Sequence, residues 1–297
     1  MKQNALIAAL ALAGGFALAP GKIQAQPAAH YPPGQEGIEA ASLPPPGLYF
    51  RDYNCFYTAR EIDNSAGNNA TPPNFNTMVY ANVPRVVWIS DLKFLGGNVG
   101  VNTLLPLIYQ SLQVGGFNQS NFGIGDLFVD GMLSWHLQRW DFVYGCGVWT
   151  PTGDSAAPPT ARAGSGFWTS MQTFGATYFI DEGKTWAISL LNRFEINSEQ
   201  RDTHLTPGDV LTADWGLSKA LTKEFKAGLT GYFQQKLTSD SGSGASGDLS
   251  RVAAIGPEIS GLVPGINVLA SLRYGYEFVA EDRARGNSVI LTLTKRF

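Results

Sequence analysis

The sequence predicts an all-β protein: a transmembrane antiparallel β-barrel of about 12 strands, preceded by an extended, Pro-rich arm. Three observations carry that prediction. From Leu48 to Phe297, apolar and polar residues alternate with period two in one segment after another, which marks strands with two unlike faces. Long polar connections (61–76, 115–120, 151–166, 197–208, 239–250, 280–287) alternate with short ones (96–97, 136–139, 181–184, 219–223, 263–265). Outer-membrane barrels sort their connections this way, with tight turns in the periplasm and longer loops outside. Charged residues make up 15% and aromatics 12%, against about 25% charged in an ordinary globular domain.

The N-terminus reads as an export signal over residues 1–25. Lys2 supplies the positive start, Ala5 to Leu18 the apolar run, and Ile23-Gln24-Ala25 the cleavage point. That run is short of the ~20 residues of a membrane helix. Residues 26–47 form the arm, with His30-Tyr31-Pro32-Pro33-Gly34 and Leu43-Pro44-Pro45-Pro46-Gly47. Proline has no N–H for a strand ladder, so the arm lies outside the sheet. Composition does not choose between an arm across the periplasmic mouth and an arm in the lumen. The barrel is expected over 48–297.

Along the barrel, 48–58 mixes Arg51 into the Tyr49/Tyr53/Tyr57 parity and leaves its facing open. In the next segment Val86, Trp88, Leu92 and Phe94 oppose Arg85, Asp91 and Lys93. Segment 98–114 carries Pro106, and 121–135 shifts phase near Gly131, where a bulge is expected. Trp140, Phe142, Tyr144 and Val148 oppose Asp141. Trp186, Ile188, Leu190, Phe194 and Ile196 oppose Ser189, Arg193 and Glu195. Leu211, Ala213, Trp215 and Leu217 oppose Asp214, while Phe225, Ala227, Leu229 and Phe233 oppose Lys226, Thr230 and Gln234. Segment 251–262 carries Pro257, which loses a ladder bond unless a bulge absorbs it. Over 266–278 an apolar parity from Ile266 to Phe278 faces Asn267, Ser271, Arg273 and Glu277. Tyr49, Trp149, Trp168, Tyr178, Trp186 and Phe278 sit toward strand ends, as interfacial girdles do. The last strand, with Val289, Leu291 and Leu293, ends in Phe297. That ending resembles the signal read by the barrel assembly machinery, although Lys295 departs from it.

The inward row is Arg85, Asp91, Lys93, Asp126, Asp130, Asp141, Arg193, Glu195, Asp214, Lys226, Glu258, Arg273 and Glu277. Such charges either pair with one another or form a constriction that selects what passes. Arg193/Glu195 and Arg273/Glu277 have the clearest parity. Leu104, Ile108, Phe128 and Met171 would make part of the passage apolar.

No catalytic residue, metal ligand or cofactor site is assigned. The GxGxxG string at Gly242–Gly247 follows no βα unit. Asp126 and Asp130 lack calcium-loop spacing, and Cys55 and Cys146 read as small fillers. His30, His136 and His204 fall in the leader, a turn and a loop, none opposite a strand serine. A hydrolase therefore remains the weaker reading. A net charge of −3 without a basic stripe argues against nucleic acid. The expected partners are outer-membrane lipid, the assembly machinery and a small solute.

Several strings resemble one family. They are His30 to Gly34 followed by Gly37-Ile38, Leu43 to Tyr49, Arg51 to Asn54, Tyr80 to Arg85, Gly123 to Asp126, Trp149 to Asp154, Ala254 to Glu258 and Leu291 to Phe297. Together they resemble the outer-membrane family linked to the meta-pathway of phenol degradation, over essentially the whole mature chain. The resemblance implies an outer-membrane barrel that helps small aromatic or other hydrophobic compounds enter the cell. It transfers no catalytic residues. An outer-membrane hydrolase, or a barrel serving adhesion or envelope structure, are the alternatives.

Overall fold

The computed structural model describes residues 29–155 and 162–297; the expected signal segment and the first arm residues lie outside them. Among the described residues, twelve barrel strands run in chain order, with Leu205–Thr206 and Ser241–Gly242 forming a separate short pair. The twelve are β1 (Gly47–Asp63), β2 (Asn76–Phe94), β3 (Gly97–Leu104 continuing as Leu107–Val114), β4 (Phe117–Ile124 continuing as Leu127–His136), β5 (Trp140–Thr150) and β6 (Thr169–Phe179). Then follow β7 (Trp186–Asn197), β8 (Val210–Ala220), β9 (Phe225–Lys236), β10 (Arg251–Val263), β11 (Val268–Glu281) and β12 (Arg283–Arg296). Each pairs antiparallel with its neighbours. Pairing of β1 with both β2 and β12 closes the barrel. Closure gives every strand a partner on both sides, which a sheet in hydrocarbon requires.

The outer face is apolar around the whole circumference. Phe50 and Phe56, Val86 and Trp88, Val101, Val129, Phe142 and Tyr144, and Phe174 are all exposed. So are Ile188 and Leu190, Leu217, Leu229, Ile255 and Ile259, Leu272 and Tyr274, and Val289 and Leu291. A soluble monomer rarely exposes an apolar patch beyond about 300–600 Å², and this belt includes all twelve strands. The buried parity is polar: Thr173, Thr177, Ser189, Arg193, Glu195, Thr212, Asp214 and Glu277 are all inside. The alternation has become an inside-out protein.

Several local expectations are corrected. Residues 115–120 and 280–287 are not long loops. Gly115-Gly116 joins β3 to β4, and Asp282 alone joins β11 to β12. The strands continue past the belt, so their polar ends mimic loop composition. Asp282 takes φ 51° there, a conformation Asp tolerates better than most residues.

The interruption expected near Gly131 falls instead at Gly125-Asp126. It faces Leu105-Pro106, because Pro106 has no N–H to donate. Gly125 N–H bridges the gap to the Pro106 carbonyl at 2.7 Å. In β10 the register shifts between Ala253 and Ala254, a few residues before Pro257. Tyr49, Arg51, Tyr53 and Cys55 face the lumen, while Leu48, Phe50 and Phe56 face out. Trp149 and Tyr49 leave the expected girdle: both are buried inside, on the parity opposite Val148 and Leu48. Cys146 faces outward as a free thiol, and Cys55 donates to Gln35 Oε1 at 3.0 Å. Cys55 is a lumen contact rather than an inert filler.

Candidate functional site

The arm enters at the short-turn end, beside Gly47, and runs up inside the barrel. It adds no strand. Its backbone donors go to inward side chains, as a buried proline-interrupted segment requires. Ala41 N–H reaches Ser189 Oγ at 3.0 Å, Ile38 N–H reaches Glu258 at 2.9 Å, and Gly34 N–H reaches Asp214 at 2.9 Å. His30 and Tyr31 N–H both reach one Glu195 oxygen, at 3.0 and 3.1 Å. Hydrogen bonds to charged groups are the strong class, about 1.5–3 kcal/mol each.

Glu36 occupies the middle. Its carboxylate meets Arg85 Nη1 at 2.8 Å, Arg51 Nη1 at 3.1 Å, Arg193 Nη2 at 3.3 Å and the Tyr53 hydroxyl at 3.1 Å. Burial alone would raise its pKa. The guanidiniums of Arg51, Arg85, Arg193 and Arg273 outweigh burial and hold the carboxyl well below its ordinary 4.5. A carboxyl depressed in the docked state stabilises docking fully above its free value, and that contribution is lost as pH falls through the depressed value.

Around it, Tyr31 OH donates to Asp214 at 2.5 Å, and its ring lies 4.0 Å beneath the Arg193 guanidinium. Below it, Glu39 takes Lys226 at 2.5 Å and Ser218 Oγ at 3.1 Å. Gly37 passes so close to Glu258 that an added Cβ would clash with its carboxylate, which is buried and tied to Arg273 and Ile38 N–H. Gly37→Val is expected to undock this part of the arm without unfolding the barrel. The readout is faster labelling of Cys55 by a polar maleimide in a Cys146→Ser background.

Nearer the long loops, His30 bridges Asp126 at 2.9 Å and Thr169 Oγ1 at 2.8 Å, stacked on Trp149 and edge-on to Phe167. Asp126 also accepts Gly153 and Ser165 N–H at 2.8 and 2.7 Å. Gln200 donates to the Ser165 carbonyl at 2.5 Å, which draws two long connections over this end. The Asp–His–Thr set is not arranged as a nucleophile: Thr169 is fully buried and its hydroxyl donates to Asn197 at 2.5 Å.

The inward residues divide by place. Arg85, Arg193, Glu195, Asp214, Glu258 and Arg273 meet the arm directly, as does Lys226. Asp130 accepts from Asn102, which in turn holds Arg85 Nε. Asp126 sits in the break of β4 rather than on a strand. Asp141 lies at the short-turn end with His136 at 3.1 Å. Glu277 accepts the hydroxyls of Tyr57 and Tyr232, each at 2.9 Å. Asp91 and Lys93 depart from the expected row: both are exposed beside the Leu95-Gly96 turn, past a register shift after Ile89. Phe128 and Met171 join Tyr31 and Trp149 in an apolar cluster with Leu104 against it.

Sequence reasoning missed Glu36, Glu39, His30 and Tyr31 as site residues, because an arm has no parity to read. The available signal was a cluster of polar residues between prolines. Beside the arm, which lines it from Tyr31 to Pro44, a cavity of about 390 Å³ extends to Lys223, Glu224 and Thr294 at the short-turn end. Its inner wall includes Leu104, Phe128, Met132 and Leu191, with the arginines at its head. Among the described residues, no group of three or more His, Cys, Asp or Glu is placed to hold a metal ion.

Residues 59–293 match the family described as "Putative MetA-pathway of phenol degradation". Among solved structures, the chain is similar to an outer membrane channel from Pseudomonas putida F1. Identity is 15%, the TM-score is 0.77, and the match covers 90% of this chain and 100% of that one. The translocator domain of the autotransporter NalP from Neisseria meningitidis matches at 12% identity and TM-score 0.48, covering 87% of this chain and 91% of that one. No curated protein matches in sequence. At 15% identity the likeness to the Pseudomonas channel speaks to the barrel fold alone.

Proposed function

The chain belongs to the MetA-pathway phenol-degradation family, and on that premise we propose that it is an outer-membrane channel for small aromatic or otherwise hydrophobic solutes. Passage is passive, and the arm determines what passes. The observation that carries this reading is the lumen cavity of about 390 Å³, lined by Leu104, Phe128, Met132 and Leu191 beside a few charged groups and extending to Lys223 and Glu224 at the short-turn end. Cavities of about 300–1,000 Å³ with apolar walls and a few convergent polar groups suit small organic ligands. The short-turn mouth faces the periplasm and the long loops face outside. Residues 1–25 direct export, and Phe297 is read by the barrel assembly machinery.

The test is uptake into liposomes carrying the purified full-length protein. Phenol entry is expected to exceed that into empty liposomes, with little acceleration of acetate. Equal phenol entry with and without protein would refute a transport role and favour an adhesion or structural barrel. Release of fatty acid from phospholipid by the same preparation would favour a hydrolase.

A further inference from the structure

Glu36 is a carboxylate held the way a bound ligand is held. Arg51, Arg85 and Arg193 surround it, with Tyr53 as a fourth donor. Arg273 stands alongside, tied to the Gln35 carbonyl and Thr292 Oγ1, each at 2.7 Å. Guanidinium forks select planar carboxylates. The other carboxylates facing this cage are fixed on the barrel wall: Asp214 3.6 Å from Arg193, Glu258 3.5 Å from Arg273, and Asp130 behind Asn102. Glu36 alone arrives on a segment that shares no ladder with the barrel.

The cage also has donors to spare. Arg273 Nε and Arg51 Nε have no hydrogen-bond partner among the described residues, and the Arg273 side chain is only 4% exposed. All four arginines line the same cavity as Leu104, Phe128, Met132 and Leu191. A cationic head on an apolar wall fits a flat hydrocarbon ring that carries a carboxylate.

We propose that the Arg51–Arg85–Arg193–Arg273 cage is a binding site for small aromatic carboxylates, and that Glu36 is its tethered resident ligand. An entering acid displaces Glu36, releases the middle of the arm and widens the passage. The proposal deepens the channel reading and rests on it for its consequence, but binding is measured without transport.

Sodium benzoate is titrated calorimetrically into the full-length protein in detergent, with benzyl alcohol as the uncharged analogue and acetate as the ringless one. Glu36→Gln vacates the charge with little change of shape. It is expected to bind benzoate about tenfold or more tightly than the native chain, since hydrogen bonds to charged groups are at stake. Benzyl alcohol should gain nothing, and Glu36→Gln/Arg85→Gln should lose the gain. No gain for benzoate, or an equal gain for benzyl alcohol, overturns the proposal; acetate binding as tightly as benzoate overturns its aromatic part.

If the variants fail to fold, the native chain answers. Benzoate, and not benzyl alcohol, is then expected to speed maleimide labelling of Cys55, which Gln35 covers; unchanged labelling overturns the proposal. Benzoate binding without phenol flux removes the channel reading alone, and flux without benzoate binding removes the cage alone.

Discussion

Deleting residues 26–46 is expected to raise single-channel conductance severalfold while leaving the barrel folded. The arm contributes no strand, so its loss breaks no ladder bond between β1 and β12 or between β1 and β2. It does empty the middle of the lumen, where Tyr31, Glu36 and Ala41 are buried. A twelve-stranded barrel encloses more space than an eight-stranded one, whose side chains alone fill the interior. Here the arm supplies the filling. Deletion also strips Glu36 from Arg51, Arg85 and Arg193. The reversal potential in a salt gradient should accordingly move toward anion selectivity. Planar-bilayer recording checks both, and unchanged conductance would mean that the passage does not run through the arm.

Asp214→Ala is expected to undock the arm almost as completely as deletion. Asp214 is fully buried and accepts Tyr31 OH at 2.5 Å, Gly34 N–H at 2.9 Å and Glu36 N–H at 3.3 Å. It also faces Arg193 at 3.6 Å. Truncation leaves the arm's donors and a guanidinium facing an apolar methyl. Breaking one side of a buried charged network costs about 3–5 kcal/mol, which falls on docking because β8 remains paired to β7 and β9 through its backbone. Asp214→Asn keeps an acceptor and should fall between. Cys55 labelling and conductance report the ranking together; labelling as slow as in the native chain would show that other contacts hold the arm.

The barrel was legible because lipid and water face its two sides and period two records which side each residue meets. Leu272, Tyr274 and Arg273 could be assigned from the string alone, and the structure agrees. Loop lengths were less legible. The polar residues of 115–120 and 280–287 belong to strands that outrun the hydrocarbon, and composition reports solvent rather than strand ends. Asp91 and Lys93 have the right parity, yet parity says nothing about depth or about the register shift before the Leu95-Gly96 turn.

By itself the sequence determined the β character of the chain, the facing of the segments with clear parity and the need for closure, since alternation along a strand is a local property that hydrocarbon enforces residue by residue. Only the tertiary structure decided what fills the cylinder. Contacts such as Glu36 with Arg85 and Arg193, or Tyr31 with Asp214, join residues 49 to 183 positions apart. They form between an arm without periodicity and strands that meet only when the barrel closes. The physical reason is that a buried charge must find its counter-charge in space, and sequence order does not record where that is.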